Sequence, residues 1–432
     1  MIRSMTAASA LVALVAACAT PAVEPTSMAP LPGLRTTDDW VNLHTRHRVT
    51  GLEDRRFSPE EYWDVALPVI AATPRLALSE VGRSIEDRPL REGVFGTGPT
   101  RVLLWSQMHG DESTASMTLV DLFAWLGSDD PLVDDLATRV TLHFIPLLNP
   151  DGAARFQRRN AVGIDVNRDA RRLATPEAQT LKAVHDRVEP DFAFNLHDQN
   201  VRTRVGRTDR GAAISLLAPA FNAERDINPT RERAMRVASG IATAVEPVVG
   251  PHVTRYNDAF NPRAFGDLIS AWGASAILIE SGGLRDDPQK QTLRRANFVA
   301  LAYALELIAR ERWNELSTSG YEGLPPNGRA VDDLLVRGGT IVLENGITVR
   351  MDLLINYGRP LLAEAPRLSD AGDLDGSESR DTLDLDGLFL HPTQDMQDSA
   401  GALLIGAPTA FRVTRDLAGR DEISRFGTEP GR

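Results

Sequence analysis

The sequence predicts an α/β chain, with a central sheet flanked by helices, followed by a small all-β domain. Three observations predict it. Short apolar runs alternate with helical patterns up to about residue 316; Ser, Gly, Pro and Asn then cluster at 317–329; beyond that break, long helical patterns give way to short β-like runs.

In chain order, Met1-Ile2-Arg3-Ser4 precedes an apolar run at 7–17 that is too short to cross a bilayer and suits the core of a signal peptide. Residues 1–17 are therefore expected to direct export. The run ends in Val15-Ala16-Ala17-Cys18, which resembles the lipobox of bacterial lipoprotein precursors. That resemblance implies a lipidated Cys18, residues 18–36 as a lipid-anchored linker rich in Pro, Ala, Thr and Ser, and a protein held at the outer membrane facing the periplasm. Cys18 is also the only cysteine. The folded body thus has no disulfide, cysteine nucleophile or thiolate metal site, and any metal must be held by His and carboxylates.

Residues 37–316 read as one large domain. Ser58-Pro59-Glu60-Glu61 marks a helix start, with a capping Ser and Pro at the first helical position. Apolar runs at 101–105, 140–148, 192–196, 214–217 and 276–279 read as strands, and 113–126, 176–188, 231–245 and 293–312 as helices. After the expected linker at 317–329, residues 330–432 form the small β domain. Runs at 340–343, 353–355 and 402–405 are its expected strands, and Glu344-Asn345-Gly346 is a turn. This portion resembles the small β domain of amidohydrolases, which implies a packing or binding module without chemistry of its own. With 47 Lys and Arg against 59 Asp and Glu, a net charge of −12 and no basic stripe, a nucleic-acid partner is excluded.

Chemistry concentrates where apolar runs end. His109-Gly110-Asp111-Glu112 follows the run ending at Trp105; a His and a carboxylate three apart can close on one metal ion across a turn, for which Gly110 supplies flexibility. Among 8 histidines such a pair alone carries little weight. His197 ends another apolar run, and ligands at the carboxyl ends of neighbouring strands converge above an open α/β sheet. Two imidazoles and a carboxylate make a catalytic zinc set. Asp198 offers an acceptor for an imidazole N–H. Glu280 terminates Ala276-Ile277-Leu278-Ile279, where a carboxylate is costly to desolvate unless it has a task or a partner. Arg158, Arg159 and Arg168 lie in a short stretch rich in Asn and Gly; read alone, it is a solvated basic loop.

Taken together, His109-x-x-Glu112, Asn149-Pro150-Asp151-Gly152, Arg158-x-Asn160, Gly163-Ile164-Asp165-Val166-Asn167-Arg168, His197 and Glu280 resemble the zinc carboxypeptidase family over roughly residues 76–310. The resemblance implies a mixed sheet and one zinc ion per chain, held by His109, Glu112 and His197. It implies Glu280 as general base, Arg158 as the cation facing the oxyanion, and Asn167 and Arg168 as the grip on the terminal carboxylate of a peptide substrate. Tyr256 is the nearest candidate for the family's substrate-capping tyrosine, and Arg263, Phe265 and Asp267 are unranked candidates for the side-chain pocket. Two rival activities stay open: a zinc deacylase of N-acyl amino acids, and a non-catalytic lipoprotein binding peptides or cell wall. His143, His185 and His391 read as structural, and the acidic stretch 370–386 lacks a calcium-loop pattern.

Overall fold

The computed structural model describes residues 31–358 and 364–427. The expected signal peptide, Cys18 and most of the expected N-terminal linker lie outside these residues. Among the described residues no helix is long and apolar enough to cross a membrane.

The larger part is built on an eight-stranded sheet: β1 (Leu76–Arg83), β2 (Pro89–Phe95), β3 (Thr100–Ser106), β4 (Val140–Ile145), β5 (Phe192–Asp198), β6 (Ile214–Leu217), β7 (Val253–Arg255) and β8 (Ser275–Ser281). They lie in the order β1-β2-β4-β3-β5-β8-β6-β7. Strands β4, β3, β5 and β8 run parallel, whereas β2 pairs antiparallel with β1 and β4, and β6 antiparallel with β8. The sheet is therefore mixed, and β3, β5 and β8 end on one common edge.

Alternation of side chains sorts the sheet faces. Val102, Leu104, Phe192, Phe194, Ile277 and Ile279 point to one core, while Leu103, Trp105, Ala193 and Ala276 point to the other. The first core is packed by α1 (Thr37–His47), α2 (Pro59–Ala71), α3 (Thr114–Leu126), α4 (Pro131–Arg139), the long α7 (Pro229–Val249) and α9 (Gln291–Ala309). The second is packed by α6 (Pro176–Val188) and α8 (Phe265–Ala271), and the single turn α5 (Pro150–Ala154) lies between β4 and the site loops. Helix α2 starts as its sequence requires: Ser58 caps the Glu61 amide, the Glu61 side chain returns to the Ser58 amide, and Pro59 takes the first turn. Helix α9 is buried all round from Ala296 to Ala309, which is why its pattern reads as apolar rather than striped.

The stretch expected as a second linker is pinned to this body. Its short helix α10 (Ser319–Glu322) buries Tyr321, whose hydroxyl accepts the Ala218 amide at 3.1 Å, and Asn327 bonds Ser215, Thr254 and Gln199 at the sheet edge.

The C-terminal part is all β: β9 (Asp332–Arg337), β10 (Thr340–Val342), β11 (Thr348–Arg350), β12 (Asp352–Asn356), β13 (Arg367–Gly372), β14 (Ser379–Asp384), β15 (Phe389–Pro392), β16 (Phe411–Thr414) and β17 (Glu422–Phe426). They form a sheet β13-β12-β9-β14 and a sheet β11-β10-β15-β16-β17 around a small core including Val336, Ile341, Ile355, Leu390 and Phe411. The Asn345-Gly346 turn joins β10 to β11, with Gly346 at a φ of 82°. Residues 402–405 are not a strand, as the sequence suggested: Leu403 makes one isolated bridge, and Leu404 and Ile405 are exposed beside the Gly406 turn. Four apolar residues in a row mimic a strand when their burial is not known.

Candidate active site

The local chain path explains why these side chains meet. After β3, Gln107 adopts the left-handed conformation at φ 50°, unusual for a residue with a side chain, and its amide Nε2 holds the Gly110 carbonyl at 2.9 Å. That kink turns His109 and Glu112 over the sheet edge just before α3 begins. Gly110 is there for space and not for flexibility: a Cβ on it would lie 1.9 Å from the Gly152 carbonyl carbon, so the Asn149-Pro150-Asp151-Gly152 turn passes directly against it. His197 comes from β5, and Glu280 sits opposite it in register on β8.

One ligand atom from each of His109, Glu112 and His197 falls within 4.8 Å of the others, and all three residues are buried. Nδ1 of His109 lies 2.7 Å from Oε1 of Glu112, and Nδ1 of His197 lies 2.6 Å from Oε2. Asp165 accepts the Nε2–H of His109 at 3.0 Å, which directs the Nδ1 lone pair at the Glu112 carboxylate. Two lone pairs facing at 2.7 Å repel unless a cation or proton lies between them, so the donor set fits a divalent metal ion. Nε2 of His197 is 3.4 Å from Nδ2 of Asn167, too long to fix its tautomer.

The two carboxylates are driven apart electrostatically. Burial opposes charge on Glu112, but the two imidazoles hold it well below the ordinary carboxylate range. Burial and then the Glu112 charge push Glu280 well above that range. Oε2 of Glu280 is buried with no hydrogen-bond partner among the described residues, the condition of a group kept for an incoming proton. Arg158 is half exposed; its Nη1 lies 3.1 Å from Glu112, and its Nε donates to Asp165 at 3.0 Å. Asn167 is buried and its Oδ1 accepts the Phe265 amide at 2.9 Å, while Arg168 bonds its neighbour's carbonyl. Tyr256 directly follows β7, which runs antiparallel to β8; the Glu280 charge and then burial push its hydroxyl up to about 12.

His109, Glu112, His197, Glu280, Arg158 and Asn167 are thus grouped at the edge where β3, β5 and β8 end. Asp198 does not serve an imidazole. Its carboxylate takes the Thr114 hydroxyl at 2.8 Å and the Lys290 ammonium at 2.9 Å, and its backbone N–H donates to Glu112 at 3.1 Å. The imidazole acceptor is Asp165, 56 residues from His109 in sequence. Lys290, fully buried and also bonded to the Ser281 carbonyl at 3.0 Å, carries no sequence signal, since Gln289-Lys290-Gln291 reads as surface. The other histidines are structural: His143 pairs with Glu92 at 2.8 Å, His185 packs on Trp272, and His391 meets the Thr414 hydroxyl at 2.9 Å.

Two imidazoles and one carboxylate at the carboxyl edge of three parallel strands form a donor set that fits one metal ion, with a second carboxylate beside it. Residues 69–197 match the family model described as zinc carboxypeptidase. Carboxypeptidase 2 of Trichophyton rubrum is 27% identical over 125 residues, covering 29% of this chain and 22% of that protein. Carboxypeptidase SOL1 of Arabidopsis thaliana is 33% identical over 102 residues, covering 21% of each. A solved metallo-carboxypeptidase from Pseudomonas aeruginosa is 17% identical with a TM-score of 0.48, covering 60% of this chain and 70% of that one. The chain spans less than a third of the length of the curated relatives it matches. The family match takes in the three metal donors and Arg158 and ends at His197, before Tyr256, Glu280 and the β domain.

Proposed function

We propose that the protein is a zinc-dependent carboxypeptidase that removes residues from the free carboxyl end of peptides. The observation that carries this reading is the convergence of His109, Glu112 and His197 within 4.8 Å, with the unpartnered Glu280 carboxyl in register beside them. A zinc ion held by these three residues supplies Lewis acidity toward a peptide carbonyl and acidifies water. Glu280, facing the same point, takes the proton of the attacking water and returns it to the leaving amine. The half-exposed Arg158 guanidinium, fixed by Asp165 through Nε and Nη2 and with Nη1 against Glu112, is the cation placed beside the negative charge that develops on the carbonyl oxygen. Asn167 and Arg168 receive the terminal carboxylate, a planar acceptor that suits a guanidinium fork. Tyr256 closes over that end with a hydroxyl that stays protonated at neutral pH.

A mixed peptide library read by mass spectrometry tests this. Free-carboxyl peptides should shorten from that end, amidated copies of the same peptides should survive, and a chelator should stop the reaction. Cleavage of amidated and free peptides alike, or hydrolysis confined to N-acyl amino acids added to the library, would overturn the reading.

We also propose that the chain is exported and lipidated, on the strength of the apolar run and Val15-Ala16-Ala17-Cys18. The unsubstituted protein is expected in the membrane fraction and a Cys18→Ala variant in the soluble fraction. Recovery of both in the soluble fraction would sink this address.

A further inference from the structure

In the parallel ladder of β5 and β8, His197 stands opposite Glu280, and the last rung pairs Asp198 with Ser281. Both strands end there, one residue past the metal donor and the base. A buried lysine joins the two ends. Nζ of Lys290, a residue only 2% exposed, donates to Oδ2 of Asp198 at 2.9 Å and to the Ser281 carbonyl at 3.0 Å. Asp198 passes this restraint on. Its backbone N–H donates to Oε2 of Glu112 at 3.1 Å, and its Oδ2 accepts the Thr114 hydroxyl at 2.8 Å where α3 begins. One ammonium therefore holds the neighbours of an imidazole donor and of the base, and through Asp198 it reaches the carboxylate donor. Lys290 and Asp198 also line, with Glu112 and Arg158, a cavity of about 810 Å³ whose other walls include Tyr357 and Arg380 of the β domain. The pair thus sits where the cleft between the two domains meets the metal donors.

Stability alone does not account for a charge pair in this place. Burial lowers the Lys290 ammonium from its ordinary value, against the pull of the Asp198 charge. Oδ1 of Asp198 is buried with no hydrogen-bond partner among the described residues. A buried ion pair offsets its desolvation only when its remaining polar atoms are satisfied, and apolar side chains of similar volume often stabilise as well or better. Lys290 also takes the left-handed conformation at φ 54°, which residues with a side chain seldom adopt. What the pair supplies is direction: two strand ends and a helix start are each held to it by hydrogen bonds of 2.8 to 3.0 Å.

Resting on the peptidase reading, we propose that Lys290 and Asp198 are a positioning pair that fixes the ends of β5 and β8. Acting through their neighbours, they hold Glu112, His197 and Glu280 at the separation that metal binding and proton transfer require.

The full-length double variant Lys290→Met, Asp198→Asn tests this, because it removes both charges and keeps both volumes near the originals. Its thermal unfolding should stay close to that of the parent protein. Its zinc affinity, read by competition with a chelator, should fall about tenfold, and kcat by about 10–100-fold with KM nearly unchanged, the scale on which groups behind metal donors act. The visible absorption band of the cobalt-substituted protein should change in position or intensity, since the donors close differently on the ion. A folded double variant with parental zinc affinity and an unchanged cobalt band overturns the proposal and leaves the pair a structural one. Thr114→Val is the second variant; it takes from Asp198 one neutral hydrogen bond and no charge, and should lower zinc affinity severalfold. If the double variant does not fold, parental zinc affinity and cobalt band in Thr114→Val overturn the proposal. Both readings are made without turnover, so absence of hydrolysis by the parent protein speaks against the peptidase reading alone.

Discussion

Replacing Glu280 with Gln is expected to lower peptide hydrolysis by about 10²–10⁴-fold while one zinc ion per chain is retained. Gln matches Glu in shape but cannot accept a proton, so the substitution removes the base and little else. The geometry separates this effect from damage to the metal centre. Glu280 is outside the donor set, and its Oε2 has no hydrogen-bond partner among the described residues that the change would orphan. Its burial in β8, between β5 and β6, holds the side chain in place whichever atom terminates it. The loss should therefore fall on kcat, with KM nearly unchanged. Steady-state kinetics alongside metal analysis reads both quantities. Undiminished kcat in the variant would remove Glu280 from the base role; loss of zinc together with activity would place it in the metal's own support.

The contrast between Glu280 and Asp165 shows what a sequence exposes. Glu280 stands at the end of four apolar residues, and the cost of burying a carboxylate there is readable without coordinates. The same holds for His197 after Phe192-Ala193-Phe194-Asn195-Leu196. Asp165 lies in a polar loop among other plausible acceptors, and only the closure of that loop against β3 selects it over Asp198 for His109. Lys290 is hidden for the same reason: a lysine between two glutamines looks solvated, yet the fold carries it into the core to neutralise Asp198. Gly110 is legible as a special position, but the neighbour that requires it, Gly152, is 42 residues away. The β domain shows the limit most clearly. Its strands at 340–342 and 352–356 follow from β-branched and apolar runs, whereas its place against Arg202, Arg204 and Arg285 depends on ion pairs that span the two parts of the chain. Local patterning specifies elements; the cleft between two domains is set by contacts that no local pattern contains.

Asp121→Ala or Arg294→Ala is expected to destabilise the larger domain by about 3–5 kcal/mol. Both side chains are fully buried, joined by two bonds of 2.6 Å, and each holds more than the other. Asp121 in α3 also takes the Val49 amide at 2.8 Å and faces the His44 ring of α1 at 3.1 Å. Arg294, near the start of α9, donates to the Leu52 and Val49 carbonyls, each at 2.9 Å. Three segments distant in sequence, residues 44–52, α3 and α9, are tied at this point, so truncating either partner leaves a buried charge and several backbone groups unsatisfied. Removing the exposed pair Arg350–Asp386 should cost only a small fraction of this, because water replaces each partner. Denaturant unfolding of the two single variants and of the double variant measures the effect. The double loss should fall well short of the sum of the singles, since the second substitution removes a charge the first had stranded. Additive losses, or a single-variant loss no larger than that of the exposed pair, would show that the network is not what joins α1, α3 and α9 beneath the sheet.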